Sequence, residues 1–235
     1  MNKPYVICHM TMSLDGKIAG SFLSHQAMNI YEQEYYRLHR QFSCDAFLCG
    51  RVTMEGSFTH GYVPDLSSYH KNWQRRDHIA SKASFYAVAI DSKGKLGWQD
   101  AYIHDDDPGY DGAHIIEVLS ENVSDGYLSY LREKGISYIF AGKDQIDLQV
   151  VCQKLYDLFD IHTLLLEGGG LVNGSFLEAQ LIDEMSVILV PIVDGSQTRT
   201  LFEGAHPKDF KIKDIQKIDP DGLWLRYVQK SLDIK

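Results

Sequence analysis

A regular alternation of short apolar runs and amphipathic stretches between residues 113 and 190 constrains the fold more than any other feature. Apolar runs bounded by turn residues predict strands over residues 113–119, 137–141, 163–166 and 182–190. Apolar residues spaced three or four apart predict helices over residues 124–134 and 147–159, and from the glycines near 170 to about residue 180. Strands and helices that alternate along a chain form a mainly parallel sheet covered by helices on both faces.

The rest of the chain extends this pattern. It predicts strands over residues 5–10, 45–49 and 84–90, an amphipathic helix over 24–42 and a short helix over 52–56. Residues 223–232 alternate between apolar and polar side chains, which is typical of an antiparallel edge strand. No repeat or linker divides the sequence, so the prediction is a single α/β domain over residues 1–235, with three layers and a central, mainly parallel mixed sheet.

Two stretches lack this periodicity. Residues 59–82 predict a long surface excursion, and loops of that length usually have a function or cover another element. The acidic residues within 104–112 predict a solvated loop.

Charge and cysteine content exclude several classes of protein. The formal net charge of −9 disfavours a broad nucleic-acid-binding surface, because phosphate backbones are bound by clustered lysine and arginine. No stretch reaches the ~18 apolar residues that span a bilayer, and the N-terminus does not have the pattern of a secretory signal. The four cysteines are widely spaced and the ten histidines form no zinc-binding motif. We therefore expect a soluble cytoplasmic protein that binds no nucleic acid, no membrane and no metal.

Three turns follow predicted strands, at the edge of the sheet where such folds bind ligands. They are Gly50-Arg51-Val52-Thr53, Asp91-Ser92-Lys93 and Glu167-Gly168-Gly169-Gly170. Consecutive glycines let backbone amides approach a pyrophosphate, and an arginine and a threonine offer donors to phosphate oxygens. The hydroxyl of Ser92 and the charge of Lys93 suit the 2′-phosphate of a dinucleotide such as NADPH. Each turn taken alone also has a structural interpretation, as a tight connection, a surface arginine beside a helix cap or a polar β-turn.

The turn after the first strand reads Ser13-Leu14-Asp15-Gly16-Lys17. Asp15 is typical of a carboxylate that caps a turn. Lys17 is a candidate to bind a substrate phosphate or a group beside a nicotinamide, and a solvated lysine is the alternative interpretation. His9, in the apolar strand before the turn, is interpreted as a buried core histidine rather than a catalyst. The sequence contains neither the G-x-S-x-G of a hydrolase nor the H-x-E and P-C-x-x-C of a zinc deaminase.

Taken together, five segments resemble the reductase domain of riboflavin biosynthesis, a member of the dihydrofolate reductase-like superfamily. They are MSLDGKIAG at 12–20, DAFLCGRVT at 45–53, FYAVAIDSKGKLGW at 85–98, YLSYLREKGISYIFAGKDQIDL at 127–148 and LLLEGGGLVNGSFLEAQLIDEMSVILVPIVDG at 164–195. Their order and spacing agree with that family over most of residues 4–195. The segment 59–82 and the tail after residue 196 match it poorly.

The resemblance implies a dihydrofolate reductase-like fold, NADPH as the cofactor, a homodimer, and hydride transfer to a small polar substrate such as a 5-amino-6-ribosylaminopyrimidine phosphate. The residues that it implies for cofactor binding are Gly50, Arg51, Thr53, Ser92, Lys93, Gly168, Gly169 and Gly170. Lys17 and Glu167 match polar residues at the reacting centre, where Glu167 would bond the substrate or the nicotinamide carboxamide.

One segment departs from the family pattern. Where the riboflavin reductases have an Asp-Asp-Pro-type segment that helps to form the substrate pocket, residues 54–61 read MEGSFTHG and contain no aspartate. Two alternatives therefore stay open beside the pyrimidine reductase: a reductase of the same fold that acts on a pterin or another small molecule, and a non-catalytic NADPH-binding protein.

Overall fold

The computed structural model describes residues 2–230, and that part of the chain has an α/β fold. Its strands are β1 (Tyr5–Met12), β2 (Ala46–Gly50), β3 (Tyr86–Ile90), β4 (His114–Leu119), β5 (Ser137–Phe140), β6 (Thr163–Leu166), β7 (Glu184–Leu189), β8 (Phe210–Ile218) and β9 (Gly222–Gln229). Its helices are α1 (Met28–Phe42), α2 (Arg51–Met54), α3 (Asp125–Glu133), α4 (Leu148–Phe159) and α5 (Gly170–Glu178).

The backbone divides into two compact units. One contains Cys44–Leu164 with residues 2–4, and the other contains Tyr5–Ser43 with residues 165–230. The assignment of the whole chain to one domain stays a prediction.

The unit around Cys44–Leu164 contains a wholly parallel set of strands in the order β5-β4-β3-β2. Its strands are buried along nearly their whole length, as expected where both faces of a parallel sheet are covered. In the register of β2 and β3, Gly50 faces Ile90, so the turns that follow these two strands leave the sheet at the same edge.

The second unit combines parallel and antiparallel pairing. β1 pairs with β7 in parallel, β7 pairs with β9 antiparallel, and β9 pairs with β8 antiparallel. The predicted α/β class, with a mainly parallel sheet and antiparallel strands at its C-terminal end, is confirmed. The position of the predicted edge strand is wrong, because β9 pairs on both sides and β8, which the sequence did not predict, lies outside it. Residues 231–232 of that prediction lie outside the described residues.

The predicted helix starts are confirmed for α3 and α4. Ser124 Oγ accepts a hydrogen bond from the Tyr127 amide at 3.2 Å, and Asp147 Oδ1 accepts from the Gln149 amide at 2.9 Å. The predicted start of α1 at Ser24 is wrong, because the helix begins at Met28.

A 3₁₀ turn over Ser21–Ser24 precedes α1. Asp194 accepts hydrogen bonds from Ser21 Oγ at 3.0 Å and from the Phe22 amide at 2.8 Å, and the Phe22 ring is buried. The distant residue Asp194 therefore stabilises this turn. The periodicity of the sequence does not predict such a contact.

The segment 59–82 was expected either to have a function of its own or to cover another element. The structure shows that it covers β5. The backbones of His78 and Tyr138 exchange hydrogen bonds of 2.8 and 2.9 Å, so the excursion pairs with β5, the outermost strand of its unit. Trp73 Nε1 donates to Ser129 Oγ on α3, and Arg75 bonds Asp125 at the start of that helix. The excursion therefore shields a strand edge that would otherwise expose unpaired backbone groups.

Candidate active site

The turn after β1 is fixed by Asp15. Its carboxylate accepts hydrogen bonds from Ser13 Oγ at 2.6 Å and from the backbone amides of Asp194 and Gly195 at 3.0 and 2.9 Å. These bonds hold the pKa of Asp15 well below its usual range, the Ser13 bond most strongly. Asp15 was expected to cap only its own turn. Its carboxylate also binds a loop about 180 residues further along the chain.

Lys17 lies half-buried against the segment formed by residues 198–203. Its Nζ donates to the Thr198 carbonyl at 3.4 Å, and its backbone forms a bridge with Thr200. The charge of Lys17 also lowers the pKa of Glu203, after larger effects from hydrogen bonds with Thr200. A lysine held by one long bond to a carbonyl keeps donors for an anionic ligand.

The same 198–203 segment contacts the glycine turn after β6. The Glu203 amide donates to the Gly170 carbonyl at 3.0 Å, and a Cβ on Gly170 would collide with the Thr200 carbonyl oxygen. Gly168 has φ +94°, and a Cβ there would lie 3.1 Å from Met10 Cε. The peptide bond between Gly168 and Gly169 is cis. Packing against protein atoms thus accounts for glycine at 168 and 170, and their contact with a cofactor stays a prediction.

The helix that follows this turn has a backbone suited to an anion. α5 begins at Gly170, and its N-cap residue Gly169 provides no capping side chain. The first-turn amides of a helix carry partial positive charge and suit a phosphate. Asn173, in this first turn, is buried, and its Oδ1 accepts no hydrogen bond in the described part of the chain.

Glu167 lies at the end of β6, directly before the glycines, and its side chain is almost fully buried. Its Oε1 is 2.8 Å from Nδ1 of His39, whose side chain is equally buried. His39 belongs to the last turn of α1 and is 128 residues away in sequence. No sequence motif includes His39. Its only signal is that His39 follows Tyr31 and Tyr35 at the four-residue spacing of one helix face.

In the other unit, the turn after β2 begins α2. Gly50 is the N-cap residue, and Thr53 is the third residue of the helix. Arg51 Nη1 bonds Glu55 Oε2 at 2.6 Å, and both side chains are about one-third exposed. A phosphate would have to compete with Glu55 for Arg51, which an exposed pair permits because such pairs are worth only about 0–1 kcal/mol.

The turn after β3 is organised by the buried Asp91. Its Oδ2 accepts hydrogen bonds from the amides of Lys95 and Leu96, the second at 2.8 Å. Burial raises the pKa of Asp91, whereas these two amides and the charge of Arg51 act in the opposite direction. The Ser92 carbonyl accepts from the Ser120 amide at 3.0 Å and from Ser120 Oγ at 2.8 Å. Lys93 is exposed.

The structure therefore brings the predicted residues together in two groups, one in each unit. Gly50, Arg51 and Thr53 share a sheet edge with Ser92 and Lys93. Lys17 and the glycine turn are joined by the 198–203 segment, which sequence reasoning missed because it matched no motif. Among residues 2–230, no helix is long and apolar enough to cross a bilayer, and no group of three His, Cys, Asp or Glu side chains could hold a metal ion.

Comparison with solved structures defines the class of fold. A pyrimidine reductase-like protein from Corynebacterium diphtheriae superposes with a TM-score of 0.69 at 15% identity, covering 97% of this chain and 92% of that one. RibD of Acinetobacter baumannii superposes with a TM-score of 0.66 at 21% identity, covering 97% of this chain and 58% of the RibD chain. The present chain thus spans a little over half the length of that RibD, and its fold is that of the pyrimidine reductase-like proteins.

Sequence comparison gives the family. Residues 4–223 match the model of the RibD C-terminal domain, and the chain belongs to that family. A relative from Methanothermobacter thermautotrophicus is 29% identical over 204 residues, which cover 86% of this chain and 85% of the relative. That relative is named 2,5-diamino-6-ribosylamino-4(3H)-pyrimidinone 5′-phosphate reductase. The prediction of an oxidoreductase of the riboflavin-biosynthesis reductase type is confirmed at the level of the family.

Proposed function

We propose that this chain is an NADPH-dependent reductase of riboflavin biosynthesis that transfers a hydride to a ribosylaminopyrimidine 5′-phosphate. The observation that carries the proposal is the buried Glu167, anchored directly before the glycine turn of a chain that matches the RibD C-terminal domain over residues 4–223. The name of the M. thermautotrophicus relative supports the substrate class. We further propose that the protein is a cytoplasmic homodimer.

The residues present fit a nicotinamide dinucleotide. Each unit offers phosphate donors: in one, the uncapped start of α5 suits a pyrophosphate, and in the other, Arg51 and Ser92, at the edge shared by β2 and β3, suit phosphate oxygens. When bound, the cofactor supplies the hydride. The protein positions the substrate, with Lys17 binding a phosphate or hydroxyl group and Glu167 accepting a hydrogen bond from the substrate.

The decisive experiment measures NADPH oxidation by the purified chain with the ribosylaminopyrimidine phosphate, and identifies the reduced product by mass spectrometry. We expect saturable oxidation that depends on this substrate. A panel of pterins is tested in parallel, because the family's Asp-Asp-Pro-type segment is absent here. NADPH binding without turnover, or turnover with pterins alone, would contradict the proposal and favour one of the two alternatives.

Lys17→Ala tests the substrate side of the proposal. We expect kcat/KM for the pyrimidine phosphate to fall about 10- to 100-fold, because a charged hydrogen bond worth about 1.5–3 kcal/mol is lost. The Kd of NADPH should change less than about twofold, since the change is confined to substrate contacts. Lys211→Ala, at an exposed lysine of β8, is the control. Wild-type turnover in Lys17→Ala would exclude this role.

A further inference from the structure

The His39–Glu167 contact is buried on both sides, unlike the other histidine–carboxylate pairs that the structure describes. The Nδ1–Oε1 distance is 2.8 Å and each side chain is only 3% exposed. Burying two opposite charges costs several kcal/mol of desolvation for each ion, and their attraction offsets this cost only in part. Apolar residues of the same volume would stabilise the fold at least as well. A need for stability therefore does not explain why a histidine and a glutamate meet here.

The position of His39 favours its charged form. It lies in the last turn of α1, where the backbone carbonyls carry partial negative charge and stabilise a cation. The carboxylate of Glu167 lies against the same ring. Burial opposes a charge on the ring, whereas the helix terminus and the carboxylate both favour it, and an imidazolium would donate a charge-assisted hydrogen bond from Nδ1 to Glu167.

Two ionisable groups of β1, Cys8 and His9, respond to the charges of this pair. Burial raises the pKa of the Cys8 thiol, and the charge of Glu167 raises it further. Burial lowers the pKa of His9. The charge of Glu167 raises this pKa, and His39 lowers it further. His9 is itself held by Ser186 Oγ at 3.0 Å and stacks on Tyr35 with ring centroids 4.3 Å apart. Cys8 and His9 are thus neutral neighbours of the pair.

We propose that His39 is the positioning residue of the candidate catalytic carboxylate: through Nδ1 it holds Glu167 in one orientation and keeps it an anion. Glu167 then accepts a hydrogen bond from an N–H or O–H group of the substrate and does not act as the proton donor. This inference rests on the proposed function for the role of Glu167. It adds a residue on α1 to a site that the sequence had placed on strand-end turns alone.

Two variants separate orientation from charge. His39→Leu removes the donor, and His39→Asn keeps a neutral N–H donor near the position of Nδ1. We expect kcat to fall about 10- to 100-fold in His39→Leu, as when other orienting partners are removed, and to be partly restored in His39→Asn. The Kd of NADPH should stay within about twofold of the wild-type value. A fall in NADPH affinity that equals the fall in kcat would overturn the assignment of the pair to the substrate.

The pH profile of kcat/KM is the readout that a purely structural role would not change. Without a neighbouring cation, Glu167 takes up a proton at a higher pH. We therefore expect the acidic limb of the profile to move to higher pH in His39→Asn. His206→Asn is the matched control, because His206 and Glu178 form a similar pair at 2.9 Å that is largely exposed on the histidine side. An unmoved acidic limb in His39→Asn would overturn the proposal.

Nuclear magnetic resonance of the wild-type chain with ¹⁵N-labelled histidine keeps the test independent of turnover and of the folding of variants. We expect both ring nitrogens of His39 to carry protons at neutral pH, and Glu167→Gln to abolish this state. A neutral His39 in the wild-type chain would overturn the inference whatever the substrate is. A charged His39 in a chain that fails to reduce the pyrimidine would instead support the pair and contradict the proposed function.

Discussion

Glu117 lies within β4 and its side chain is fully buried. Its Oε1 accepts hydrogen bonds from Trp98 Nε1 and from Tyr127 Oη, the second at 3.4 Å. Burial, followed by the charge of Asp91, raises the pKa of Glu117 well above its usual range. The folded chain therefore keeps a proton on Glu117 at pH values where the unfolded chain has released it.

This difference predicts a pH-dependent stability. A folded-state pKa above the unfolded value means that the contribution of Glu117 is fully present below about pH 4.5 and is lost as the pH rises toward the folded pKa. We expect Glu117→Gln to match the wild type in acid and to become the more stable protein as the pH rises. Urea unfolding over a pH series measures this, and two parallel stability curves would show that Glu117 does not titrate differently on folding.

Ser92 gives a second prediction at the residue scale. If its hydroxyl binds the 2′-phosphate, Ser92→Ala should raise the Kd of NADPH about tenfold, because a hydrogen bond to a charged group is worth about 1.5–3 kcal/mol. The Kd of NADH, which lacks this phosphate, should stay the same. Fluorescence titration of both cofactors measures the effect, with Ser68→Ala, at an exposed serine, as control. Equal losses for NADPH and NADH would remove Ser92 from the phosphate site.

At the scale of elements, Trp73 is one of the side chains that attach the excursion over residues 59–82 to α3. The Trp73 ring contacts two cations, with Lys71 Nζ 3.9 Å and the Arg132 guanidinium carbon 4.0 Å from its centroid. Its indole N–H donates to Ser129 Oγ at 2.8 Å. Trp73 therefore fastens the excursion to α3, next to the part that pairs with β5.

Trp73→Ala should loosen this attachment. We expect a loss of about 2 kcal/mol in the free energy of unfolding, below the ~3–5 kcal/mol of a fully buried tryptophan, because Trp73 is half-buried. Amide exchange at Tyr138, which donates to the His78 carbonyl, should become faster. Trp73→Phe keeps the ring without the N–H and should lose only about 1 kcal/mol. Unchanged exchange at Tyr138 in Trp73→Ala would mean that the excursion is anchored elsewhere.

At the scale of the whole molecule, the chain is acidic, yet its proposed ligands are anions. A net charge of −9 repels phosphates at long range, so binding must depend on local donors such as Arg51, Lys17 and the amides of α5. These are the residue types that bind phosphates at short range through directed hydrogen bonds. The acidic balance favours solubility and opposes association with nucleic acids.

The proposed homodimer is tested at this scale. We expect light scattering to give twice the chain mass of 26.7 kDa, at protein concentrations well below those used for crystallisation. The family resemblance is the basis of this expectation, and no interface is inferred from the single chain. A mass of one chain at every concentration would contradict the proposed assembly and leave the reductase proposal unaffected.

The sequence by itself determined the features that depend on neighbouring residues. Buried strands and amphipathic helices leave a periodic pattern, which is why the bounds of β1 to β7 and of the capped helices α3 and α4 were predicted to within two residues. The side chain of Asp147 acts within its own helix terminus. The turns after β2, β3 and β6 were predicted because their residues directly follow strands that the apolar pattern identifies.

Only the tertiary structure decided which strands pair and which side chains meet when they are far apart in the sequence. β8 was missed because most of its side chains are exposed, so its apolar pattern is weak, and its pairing with β9 fixes it instead. His39 meets Glu167 across 128 residues, and the 198–203 segment meets both Lys17 and the glycine turn. A hydrogen bond between distant residues leaves no period in the sequence, because its partners are set by the packing of whole elements.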